Sequence, residues 1–115
     1  TYPAETDAYI SRGVAKARGV AMLDTSLVIA QATDEQASRR ERVLAFCEIV
    51  HRFQDIAVGY ACSIIGDAQR AEDAAQEAFV EAWSSLHQLN EPRAFAGWFR
   101  QIVFTKSRRI LRGDG

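Results

Sequence analysis

Gly66-Asp-Ala-Gln-Arg-Ala-Glu-Asp-Ala-Ala-Gln-Glu-Ala-Phe-Val-Glu-Ala-Trp83 is the stretch on which the reading of the fold turns. No proline interrupts it, and alanine, the best helix former, recurs through it. Gly66 can take the left-handed conformation that ends a preceding helix, and Asp67 can cap the next one. Glu72 and Asp73 follow within the first turns, where carboxylates complement the helix dipole. At 3.6 residues per turn, Ala71, Ala75, Ala78, Phe79, Ala82 and Leu86 share one side, with Trp83 at its edge. Asp73, Gln76, Glu77 and Glu81 share the other, with Val80 among them. A plain solvated face needs no particular order of groups, and this face can be read that way. It can also be read as a docking surface for a helix carrying arginines: acid, amide and acid at i, i+3 and i+4, with an exposed valine beside them.

The rest of the chain bounds the setting. With 115 residues, one small domain is expected. No apolar run approaches the roughly 20 residues of a membrane span, and the start lacks the layout of a signal peptide. Those two absences point to the cytoplasm, with no membrane partner. Cys47 and Cys62 have neither paired spacing nor a histidine cluster nearby, so they read as buried free thiols rather than ligands or a disulfide. A chain that opens at Thr1 reads as an excised or processed fragment.

The formal net charge of -1 conceals an asymmetry. Between Asp67 and Leu86, five acids face only Arg70. Between Arg93 and Arg112 the charges are Arg93, Arg100, Lys106, Arg108, Arg109 and Arg112, with no acid among them. A near-neutral total therefore does not exclude nucleic acid: the basic end can meet phosphate while the acidic helix meets protein.

Upstream, residues 1–25 read as an extension or linker helix starting at Thr6 or Asp7, with Tyr9, Ile10, Val14, Ala17 and Ala21 on one side. Gly13 and Gly19 each weaken it by roughly 1 kcal/mol against alanine. The remaining residues, 26–115, form the expected domain. Asp24 caps a short apolar helix. From Ser38 to Ile65, Phe46, Ile49, Val50, Phe53, Ile56, Ala57, Tyr60, Ala61 and Ile64 recur at helical steps and read as core. His51 reads as a surface residue. Downstream, Asn90-Glu-Pro-Arg offers a cap candidate and a proline suited to a helix start. Strand-like alternation is absent, so an all-α bundle of about four to five helices is expected.

The last helix, Phe95 to Arg112, has a core stripe of Phe95, Phe99, Ile102, Val103 and Ile110. Trp98, Gln101, Thr105, Arg108 and Arg112 fall on another face, flanked by Phe104. These groups can stack on an unpaired base, read a base edge and hold phosphates. A half-buried tryptophan beside a snorkelling basic surface would leave the same pattern. Lys106 falls inside the core stripe if the helix is continuous, so a break is expected between Phe104 and Ser107.

Asp73-x-x-Gln76-Glu77-x-Phe79, then Trp83, then Gly97-Trp98-Phe99-Arg100-Gln101-Ile102 resembles region 2 of bacterial RNA polymerase sigma factors, of the extracytoplasmic-function (ECF) group. The likeness runs from about Phe46 to Arg112, with motifs in the family's order, and Asp24 to Asp34 is similar to the opening of that fold. The segment from Asp34 to Phe46 is longer than is usual there. The resemblance implies the region 2 fold and a specificity subunit for transcription initiation. It implies that Asp73, Gln76 and Glu77, with Val80 beside them, bind the clamp helices of the β′ subunit of core RNA polymerase. It implies that Trp98, Arg100, Gln101, Phe104, Thr105 and Lys106 engage and help melt the −10 promoter element, with Arg108 and Arg112 on its backbone. An anti-sigma factor is a further partner of such proteins. Thr105 stands where ECF members commonly carry asparagine, and Arg109 where aspartate is usual, so base preference does not carry over.

Enzymatic chemistry is not expected. The chain has no carboxylate pair placed for a cleft, no nucleophile–histidine pair and no glycine-rich phosphate loop, and no cofactor or metal is implied. Two non-sigma alternatives remain. A sigma-like mimic that binds an anti-sigma factor without touching DNA would have no need of the Trp98-to-Arg112 face. A plain helical dimerisation domain explains neither charge asymmetry.

Overall fold

The computed structural model describes residues 23–113. Four α-helices account for most of them: α1 (Thr25–Thr33), α2 (Arg39–Ile65), α3 (Ala68–Ser85) and α4 (Phe95–Leu111). Two short 3-10 turns, Leu86–Gln88 and Pro92–Ala94, lie between α3 and α4. No strand occurs among the described residues, and the fold is all-α. The extension helix expected from Thr6 or Asp7 lies outside the described residues. Two compact units divide the chain, Thr1–Ile49 and Val50–Gly115, with the boundary inside α2.

In the first unit, local hydrogen bonds set the helix starts. Asp24 accepts from the Ser26 amide and hydroxyl, both at 2.8 Å. Ser38 and Glu41 form a reciprocal capping box at the head of α2: the Glu41 amide donates to Ser38 Oγ at 3.1 Å, and the Ser38 amide donates to Glu41 Oε1 at 3.2 Å. The Ser-x-x-Glu spacing was present in the sequence as its signal. Val28, Ile29, Ala32, Ala45 and Ile49 are buried.

The second unit carries the organising stretch. Gly66 has φ +80, and its amide closes the end of α2 on the Cys62 carbonyl at 2.8 Å. Only glycine takes that backbone without strain. Asp67 then accepts from the Gln69 and Arg70 amides, starting α3 one residue later. The predicted inner face is buried, and Ala74 joins it. Small alanines on α3 leave room for rings from α4. Phe99 lies at the centre, stacked on Phe79 at 4.6 Å and on Phe95 at 5.4 Å, with Phe53 edge-on at 6.2 Å. Phe53 and Phe79 thus meet through Phe99.

Several expectations need correction. The helix does not break between Phe104 and Ser107: α4 runs unbroken to Leu111. Lys106 is accommodated by an ion pair with Glu81, and Ser107, small enough for a tight site, is fully buried. Within Asn90-Glu-Pro-Arg the cap is Glu91, which accepts from the Arg93 amide at 3.2 Å and starts the 3-10 turn that leads into α4. Both cysteines are free, but Cys47 is exposed and Cys62 half-buried. Ile56, placed in the core by its spacing, is 67% exposed, because the inward stripe of α2 is narrower than its run of apolar residues.

Candidate docking and nucleic-acid faces

The outward face of α3 is assembled by its register alone. With Ala71, Ala74, Ala75 and Ala78 buried, Glu72, Asp73, Gln76, Glu77, Val80 and Glu81 must point away, and all are exposed. Val80 is 68% exposed, the most open large apolar side chain among the described residues. Two shallow depressions flank this row. One, against the end of α4, is bordered by Arg70, Asp73, Gln76, Glu77 and Ile110. The other lies between α2 and α3, where Gln54, Asp55 and Cys62 join Glu72, Gln76 and Val80. Sequence reading missed the α2 contribution. Its signal was the polar pair Gln54-Asp55 in the mostly apolar second half of α2, and nothing local ties that pair to α3.

α4 presents the opposite sign. Gln101, Phe104, Thr105, Arg108 and Arg112 are exposed along one side, and Trp98 is half-buried, tilted against Phe95 at 5.9 Å. Arg108 lies over the Phe104 ring at 6.0 Å, a cation–π contact that orients the guanidinium outward. Thr105 donates its hydroxyl to the Gln101 carbonyl at 3.0 Å, leaving the oxygen able to accept. Trp98, Gln101, Phe104, Thr105, Arg108 and Arg112 are therefore brought together.

Two nominated residues are not on that side. Arg100 is exposed but lies over Tyr60 of α2 at 5.1 Å, at the other edge of the helix. Lys106 points between α4 and α3, its ammonium 3.0 Å from Glu81 and its side chain 13% exposed. Arg70, noted in the sequence only as the lone cation of its helix, donates to the Ile110 carbonyl near the end of α4. There it adds a second donor to a carbonyl that already accepts the Gly113 amide at 2.9 Å, and it complements the negative end of the dipole. Among the described residues, no helix is long and apolar enough to cross a membrane.

The family description Sigma-70 region 2 matches residues 49–114, more than half of the chain. This chain belongs to that family. Its relatives are RNA polymerase sigma factors, and the likeness is ECF-like. The region 2 chain is 41% identical over 68 residues to the probable RNA polymerase sigma factor RfaY of Xanthomonas campestris, covering 59% of the chain and 17% of that protein. It is 32% identical over 71 residues to the RNA polymerase sigma-H factor of Pseudomonas aeruginosa, covering 62% and 37%. To the ECF RNA polymerase sigma factor SigW of Bacillus subtilis it is 32% identical over 59 residues, covering 51% and 32%. The matched region thus spans well under half the length of each of these curated relatives. No solved structure matches the chain significantly.

Proposed function

We propose that this chain serves as the region 2 domain of an ECF sigma factor, a non-enzymatic specificity subunit of transcription initiation working in the cytoplasm. In this reading residues 26–115 form the domain and residues 1–25 an extension. Asp73, Gln76, Glu77 and Val80 dock on the β′ clamp helices of core RNA polymerase, and Trp98 with Gln101, Phe104, Thr105, Arg108 and Arg112 meets the opened −10 element. An anti-sigma factor is a further partner.

One observation carries the reading: neighbouring helices of a sigma-70 region 2 chain present outward faces of opposite charge and different chemistry. The α3 face is acidic, with an exposed valine. The α4 face is basic and aromatic, with its guanidiniums on the last turns. Arginines of a protein helix suit the first face. Phosphate and unstacked bases suit the second.

The test is crosslinking of the full chain to core polymerase, with and without a forked −10 template. Crosslinks from the α3 face to core, and from the α4 face to DNA only when core is present, are expected. Core crosslinks without any DNA contact would favour the mimic that binds an anti-sigma factor.

A further inference from the structure

Two polar ties join the helix with the acidic face to the last turns of the helix with the basic face. Lys106 Nζ lies 3.0 Å from Glu81 Oε1, the glutamate side chain being 45% exposed and the lysine 13%. One turn further along α4, Arg70 of α3 holds the Ile110 carbonyl. Between these two ties lie the exposed Arg108 and Arg109, and Arg112 follows them. We propose that Lys106 is a positioning residue: held by Glu81, and acting with Arg70, it sets the pose of the arginine turn that meets DNA phosphate, and makes no phosphate contact itself. This inference rests on the reading of α4 as the DNA face.

The geometry supports it in three ways. The Lys106 side chain is largely enclosed with its ammonium on Glu81, and reaching a phosphate would mean abandoning that carboxylate. The last carbonyls of any helix lack internal partners, so its end frays unless something holds it. Here the Gly113 amide closes the Ile110 carbonyl at 2.9 Å, and Arg70 of α3 holds the same oxygen from across the interface. Arg108 is steadied over Phe104 on the other side. Glu81 also lies one helical turn from Glu77, so the pair joins the docking helix directly to the segment that carries the cations.

The experiment uses the full chain saturated with core polymerase, binding forked −10 DNA across a range of salt. Lys106→Met keeps the apolar stem and with it the packing. It should weaken binding by about two- to tenfold at every salt concentration and leave the log–log salt slope unchanged. Arg108→Ala, a phosphate contact, should lower the slope by about 0.7 to 0.9. Glu81→Lys combined with Lys106→Glu should return affinity to within about twofold of the parent, although each change alone weakens it. A slope loss in Lys106→Met equal to that of Arg108→Ala would overturn the proposal, as would a double swap no better than its single changes. An unchanged slope in Arg108→Ala would sink the DNA reading instead. The tie is then decided by the backbone amide shifts of residues 107–111 in Glu81→Gln: movement there upholds it, and unmoved signals refute it.

Discussion

α3 and α4 are nearly equal in length, 18 and 17 residues, and they face the same core, yet they are built on opposite plans. The buried side of α3 is almost all alanine, with Phe79 as its large residue. The inner side of α4 is Phe95, Phe99, Ile102 and Val103. One helix supplies space and the other fills it, as close-packed interiors require. The outer sides differ in sign, and the antiparallel arrangement uses that difference. The start of α3 meets the end of α4, where Arg70 reaches across to Ile110. The lesson is that the two outer faces are not independent surfaces on a common scaffold. They share a core and two polar ties, so a change on one helix is felt on the other unless it is confined to the solvent side.

The largest expected effect tests the shared core. Phe99→Ala removes the ring that meets Phe53, Phe79 and Phe95, and should cost about 3–5 kcal/mol. Phe79→Ala should approach the same loss. Against a total stability of about 5–15 kcal/mol, either can abolish folding at physiological temperature. A thermal melt of the full chain shifted by only a degree or two would show that the helices do not depend on these rings.

Next comes the face of α4. Trp98→Ala should weaken binding of the core-bound chain to forked −10 DNA by about 5- to 150-fold, the value of one base–aromatic stack. The loss on closed duplex should be smaller. Because Trp98 also leans on Phe95, the variant is compared at temperatures where its circular dichroism matches the parent. Equal losses on duplex and forked DNA would mean that the tryptophan supports the helix rather than a base.

The smallest effect on stability belongs to the face of α3. Gln76→Ala and Glu77→Lys alter exposed positions on a helix whose cap and core are intact, so stability should stay within about 0.5 kcal/mol of the parent. Affinity for core polymerase, measured by fluorescence anisotropy, should nevertheless fall in both. If it holds in both, the docking surface lies elsewhere, and the α2–α3 groove around Asp55 and Glu72 becomes the place to look.

The features legible in the chain alone are the local ones. Helical periodicity placed Ala71, Ala75, Ala78 and Phe79 inward and Asp73, Gln76, Glu77 and Val80 outward, because 3.6 residues per turn assigns a face before any neighbour is known. Gly66 and Asp67 marked their boundary because a positive φ and a side-chain cap act within three residues. Tertiary structure decided what depends on the element opposite. Lys106 sits in an apolar stripe, and only the presence of Glu81 across the interface lets the helix continue through it. Ile56 recurs at helical steps and Cys47 reads as a buried thiol, yet both are exposed, because spacing and residue type do not say how much of a face is covered. Arg70 looked like a stray cation among acids until the fold brought a helix-end carbonyl 40 residues away to meet it. Hydrogen bonds and ion pairs between helices are set by approach in space, and sequence separation carries no record of that approach.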